Sequence, residues 1–176
     1  MRGGTGQVWI ETVIYTLIAF VMIGVVLTFA RPKIEEFQDK ALLEQSIEMI
    51  SGIDSTIKEI ERRGVGNQRI IKLELNEGSL KISGINDNLV FEMQSRYQYT
   101  EPGSDYSEGN IAVQTEKKGE LNVVQFSVDY NLKYNITYQQ KDGLRTIGKS
   151  PTPYNLLISN KGEDSDGRIK INFEIN

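Results

Sequence analysis

The stretch that decides the fold is Gly6-Gln7-Val8-Trp9-Ile10-Glu11 followed by TVIYTLIAFVMIGVVLTFA at residues 12–30. Residues 12–30 contain no charged side chain, and Ile14, Leu17, Ile18, Val21, Val25 and Leu27 lie among further apolar residues on every face of a helix. A helix on the surface of a soluble protein carries one apolar stripe, whereas one that is apolar all round needs an apolar surrounding. As a helix, roughly 19 such residues reach about 28 Å, close to the hydrocarbon thickness of a bilayer. The segment reads as membrane-embedded. Residues 1–6 before it are Gly-rich, with Arg2 as their basic side chain, and show no sign of folded structure.

Arg31-Pro32-Lys33 ends the apolar run. The proline ring removes a backbone donor and predicts a kink there without requiring the helix to stop. The pattern then narrows to a stripe: Ile34, Phe37, Ala41, Leu43, Ile47, Ile50, Ile53, Ile57 and Ile60 recur at steps of three and four between polar residues. That spacing predicts an amphipathic helix over 33–63 with one buried face, and the stripe is wider than a coiled-coil seam. Arg62-Arg63 followed by Gly64 supplies cations for the carbonyl end and a residue tolerant of positive φ, a stop signal. The helix is therefore expected over 7–63, after a segment 1–6.

Beyond Gly64 the period changes to two, which predicts a β-rich head over 69–176. Ile71, Leu73 and Leu75 alternate with Lys72 and Glu74; Leu80 and Ile82 follow a turn at Asn76-Glu77-Gly78; Leu89, Phe91 and Met93 form a third strand. Residues 99–110 hold Pro102, Gly103 and Gly109 without periodicity and read as an exposed loop. Strands resume at 111–115 and 121–128, joined through Lys117-Lys118-Gly119-Glu120. Leu132, Tyr134, Ile136 and Tyr138 then alternate, and Asp142-Gly143 reads as a two-residue hairpin turn returning through 144–147. The last pair is 155–159 with 168–175. The fold class is α+β: a long N-terminal hydrophobic helix and a mostly antiparallel sheet, sandwich or open barrel, covering the helical stripe.

Composition removes several function classes. The net charge is -4 with no basic block, so the electrostatic footprint of nucleic-acid binding is missing. With no histidine and no cysteine, the chain cannot build a Ser-His-Asp or Cys-His nucleophile pair, an N/S-ligand zinc site or a disulfide. No cofactor is expected, and no enzyme activity.

Glu11, at the edge of the apolar run, needs a physical reason, because a carboxylate inside a bilayer is costly unless shallow or paired. Read alone, it fits a headgroup-level charge favourable to the helix N-terminus. Glycine before a processing site, Gln7 next, Glu11 four residues later and then a long apolar helix together resemble the class III signal peptide of type IV prepilins. The Gln-x-x-x-Glu form is similar to archaeal pilins. The resemblance implies that a prepilin peptidase cuts between Gly6 and Gln7, and that the apolar helix is kept as the core of a helical homopolymer. It also implies a pilus assembly ATPase and membrane platform as partners, a membrane-held precursor, and a head displayed on the cell surface for attachment. Glu11 would then set register by meeting the amine of a neighbouring subunit, since an unpaired buried carboxylate penalises wrong offsets. Trp9 and residues 13–29 would pack helix on helix, with Gly24 allowing close approach.

A permanently anchored ectodomain using its head for binding is the principal alternative; an ordinary secretory signal has a shorter apolar region than this one. In the head, Glu163, Asp164 and Asp166 lie between Gly162 and Gly167, where a solvated turn is the plain reading and a weak calcium site the sharper one. Tyr97, Tyr99, Tyr106, Tyr130, Tyr134 and Tyr138 are candidates for a sugar- or surface-binding face; Tyr134 and Tyr138 share the parity of core residues, and the loop tyrosines are the better adhesion candidates. Asn135-Ile136-Thr137 is an Asn-x-Thr acceptor tripeptide with the opposite parity, making Asn135 a candidate for N-glycosylation.

Overall fold

A computed structural model describes residues 4–175, with side chains from Trp9 onward. Residues 1–3 and 176, and with them Arg2, lie outside the described residues, as does the side chain of Gln7. Helix α1 runs Gly4–Arg63. It begins three residues ahead of the expected start at Gln7, and helical structure continues through Pro32.

Two units divide the chain, Met1–Gln38 and Asp39–Asn176. In the first, the apolar residues from Ile10 to Phe29 are exposed. Ile34 and Phe37 are exposed as well, Phe37 at 72%, which corrects the expectation that they begin the buried stripe. Ala41, in the second unit, is also exposed. Burial starts at Leu43 and continues through Ile47, Ile50, Ile53, Ile57 and Ile60. Only from there do the strands offer an apolar surface to cover the stripe.

The helix stops as its sequence predicts. Gly64 has φ 87°, its N–H donates to the Glu61 carbonyl at 3.0 Å, and Asn67 Nδ2 donates to the carbonyls of Arg63 and Gly64 at 2.8 and 3.0 Å. These bonds satisfy carbonyls that a helix C-terminus leaves open.

Among the described residues ten strands follow: β1 Gln68–Leu73, β2 Ser79–Ser83, β3 Asn88–Ser95, β4 Tyr106–Glu108, β5 Ile111–Lys118, β6 Leu121–Asp129, β7 Tyr134–Tyr138, β8 Leu144–Gly148, β9 Tyr154–Glu163 and β10 Ile169–Ile175. They form two sheets, ordered β1-β9-β10-β7 and β4-β5-β6-β3-β2-β8, neither closed into a barrel. Every pairing is antiparallel except β10 with β7. Residues from both sheets and from the helix share one core, with Phe91, Phe126 and Phe173 fully buried. The α+β class and the mostly antiparallel head expected from sequence are what the structure has.

Three local expectations change. Residues 106–108, inside the expected loop, pair as β4 with β5. Leu132 is 96% exposed because β7 starts only at Tyr134. Most importantly, β7 and β8 are not a hairpin: β7 joins β10 in one sheet and β8 joins β2 in the other. The tight turn falls at Gln139-Gln140 instead, where φ is 50° and 62° and Tyr138 and Lys141 exchange backbone bonds at 3.0 and 3.1 Å. Positive φ at both central residues is the requirement of a type I′ turn. Buried Asn172 holds it, its Oδ1 accepting from Gln140 N at 2.6 Å and from Thr137 Oγ1 at 3.0 Å.

Where the chain crosses between sheets, from β7 to β8, it packs on Gly84, which lies in the turn between β2 and β3. The Gly84 N–H donates to the Gly143 carbonyl at 2.8 Å, and a Cβ on Gly84 would stand 2.5 Å from the Ile136 carbonyl oxygen. Glycine is needed for that approach, and Asp142-Gly143 serves the crossing rather than a hairpin.

Candidate functional site

The N-terminal part of α1 is the first candidate surface. Trp9 is 72% and Phe29 74% exposed, and every residue from Ile10 to Phe29 is exposed. The most apolar 18-residue window has a mean hydropathy of 2.5 and none of it is buried, which makes the helix a candidate membrane anchor. Two of its hydroxyls are tied back to the helix: Thr16 Oγ1 donates to the Thr12 carbonyl and Thr28 Oγ1 to the Gly24 carbonyl, each at 2.8 Å. A hydroxyl tied back to its own helix costs far less in an apolar medium than an unpaired one. Gly24 has open space around the position of a Cβ. Glu11 is exposed, with no hydrogen-bond or ion-pair partner among the described residues. The surface can take up lipid or the apolar face of another helix, and it presents one carboxylate at its edge.

Within Asp39–Asn176, three carboxylates tie secondary elements together. Asp54 of α1 is buried and accepts from Lys58 Nζ at 2.6 Å, Tyr130 OH at 3.2 Å and Asn110 Nδ2 at 3.3 Å. Burial, and then the charge of Asp54, push the Tyr130 phenol far up. Glu61 accepts from Lys133 at 2.7 Å and from Tyr134 OH at 2.5 Å. Burial raises the Glu61 pKa, but the bonds from Lys133 and Tyr134 outweigh it and the net direction is down. Asp87 accepts from Ile136 N at 2.7 Å and from Arg168 Nη1 at 2.5 Å.

None of these three was singled out from sequence. Asp54 does interrupt the apolar stripe beside Ile53, a polar residue next to the buried face, and that was the available signal. Asp87 and Asn172 gave none, because their roles depend on partners 49 and 35 residues away.

Of the acids in the 162–167 turn, Asp164 holds the turn together. Asp164 Oδ1 accepts from Asp166 N and Arg168 N, each at 2.9 Å, and Oδ2 from Asn135 Nδ2 at 2.8 Å. The Asn135 amide first, and then the Arg168 N–H, hold the Asp164 carboxyl below its usual range. No cluster of three acidic residues suited to a metal ion occurs among the described residues. Asn135 is half-buried and bonded rather than on an open face, and Thr137 beside it is buried.

The loop tyrosines converge. Tyr97 and Tyr99 meet edge to face at 6.4 Å, Tyr99 meets Phe126 at 5.2 Å, and all three loop tyrosines line a groove of ≈ 630 Å³ with Lys40, Glu44 and Asp105. Tyr134 is core, as its parity predicts, and Tyr138 is half-buried.

Comparison with protein-family models, with curated proteins and with solved structures finds no match to this chain.

Proposed function

We propose that this chain is the precursor of a type IV pilin-like subunit that assembles through its N-terminal helix into a surface filament used for attachment. The observation that carries the reading is a helix segment apolar on all sides, exposed, with Thr16 and Thr28 bonded to its own carbonyls and one carboxylate at its border. Such a segment is stable in lipid before assembly and among copies of itself afterwards, without a water-soluble intermediate.

In this reading a prepilin peptidase releases the leader at the Gly6–Gln7 bond. Assembly then draws on an ATPase and a membrane platform, and the head faces outward. Glu11 sets the axial register against a neighbour's N-terminal amine, while Trp9 and Gly24 shape the helix-helix contact. The archaeal form of the leader and the absence of enzyme activity belong to the same proposal.

Helical structure running through Gly6 and Gln7 favours a second reading, an uncut signal anchor holding a binding head in the membrane. Intact-mass measurement on material sheared from cells separates the two. A terminus at Gln7 in a polymer supports the filament; a chain that keeps Met1 and stays monomeric in the membrane overturns it.

A further inference from the structure

The groove beside Lys40 and Glu44 has a lining that neither filament assembly nor membrane anchoring uses. Tyr106 is 46% exposed on the short strand β4, and Tyr97 and Tyr99, both half-buried, line the same groove. The lining is held in place from behind. Ser95 Oγ bonds both the N–H and the carbonyl of Tyr97 at 2.9 Å, Thr100 and Thr115 hydroxyls meet at 2.8 Å, and Tyr99 OH reaches Glu108 at 3.4 Å. A groove fixed before its ligand arrives loses little entropy on binding.

We propose that this groove binds a neutral saccharide. A sugar ring has a face of C–H groups and a rim of hydroxyls; the first stacks on a tyrosine ring and the second needs acceptors and donors at the edge. Tyr106 supplies the open ring, Glu44 and Asp105 acceptors, and the Lys40 ammonium, 3.7 Å from Glu44, a donor. Other ligand classes fit less well. Lys40 Nζ already lies 5.6 Å from the Tyr97 ring centre, where an organic cation would sit. The surplus of carboxylates repels phosphates and sulfates. The groove's volume, ≈ 630 Å³, is of the size that takes small ligands. The proposal rests on the attachment part of the reading above, but binding can be measured without filaments, so either can fail alone.

The test uses the full chain in micelles of a detergent without a sugar headgroup. Maltotriose, cellotriose and N-acetylchitotriose are the probes, followed by saturation-transfer NMR and calorimetry. At least one should bind with a millimolar or tighter Kd, and Tyr106→Ala should weaken it roughly tenfold. Asp105→Asn should weaken it too, while Lys149→Ala, outside the groove, leaves it unchanged. Both groove positions are exposed, so circular dichroism should show an intact fold. The proposal is overturned if none of the three sugars binds, if binding survives both groove variants, or if tetramethylammonium binds there in place of the sugars.

Discussion

The phenol of Tyr130 donates to the buried carboxylate of Asp54 at 3.2 Å, joining the turn after β6 to the C-terminal part of helix α1 across 76 residues of sequence. This bond, with those of Lys58 and Asn110 to the same carboxylate, is what permits a charge inside the packed face of the helix. Tyr130→Phe keeps the ring and deletes one of the three partners. It should cost about 1–2 kcal/mol, read as a lower urea midpoint with an unchanged slope.

Glu61 governs part of the acid response. Its folded pKa lies below the ordinary 4.5, so its contribution is complete above that value and disappears as pH falls through the lower folded one. Stability measured by denaturant titration should therefore decline below about pH 4.5, and Glu61→Gln should flatten that part of the curve. At the alkaline end the sign reverses. Burial, aided by Glu108 at Tyr99 and by Glu61 at Tyr134, raises both phenols from 10.0 to about 12. Their contribution is complete below pH 10 and lost as pH rises through 12. Tyr134→Phe should remove its share, seen as a smaller rise in tyrosinate absorbance coupled to unfolding.

Gly84→Ala tests the crossing between sheets. The new methyl would stand 2.5 Å from the Ile136 carbonyl oxygen and 3.2 Å from backbone atoms of Asp142 and Gly143, and backbone cannot swing aside as a side chain does. A loss of about 3 kcal/mol is expected, measured as a drop in Tm.

Gln140→Gly should move stability the other way. Gln140 has φ 62° in the turn, a conformation that glycine adopts without the steric cost of a Cβ, and its anchoring N–H to Asn172 is retained. The gain should be about 1 kcal/mol in chemical denaturation. A loss instead would mean that the Gln140 side chain itself contributes to the turn.

Glu11→Ala tests the register proposal. Removing a carboxylate that pairs in the assembled core should reduce sheared filament by more than about tenfold, with the far-UV spectrum of the head unchanged. Normal filament yield from this variant removes the register role even if the subunit still assembles.

Much of the architecture was legible because its causes are local. The uniform apolarity of residues 12–30, the stripe from Leu43 to Ile60, the stop at Gly64 and the alternation within β2, β3, β5, β6 and β10 are each written in a few turns or a few residues. Among the candidate residues, Trp9 is exposed, Gly24 has open space where a Cβ would stand, and Tyr134 is core as parity required. Asn135 was harder: strand parity points to a face, but the residue bonds Asp164, 29 positions away in sequence.

By itself, then, the sequence determined the long helix and its stop, every described strand but β4, and which chemistries a chain without histidine or cysteine lacks. The tertiary structure alone decided that β7 leaves its neighbour β8 to lie parallel to β10, that the tight turn forms at Gln139-Gln140 rather than Asp142-Gly143, and that Asp54, Asp87 and Asn172 become buried anchors. Periodicity and turn propensity act over neighbouring residues. Strand partnership and the burial of a polar group depend on which distant backbone and side-chain groups arrive to complete their hydrogen bonds.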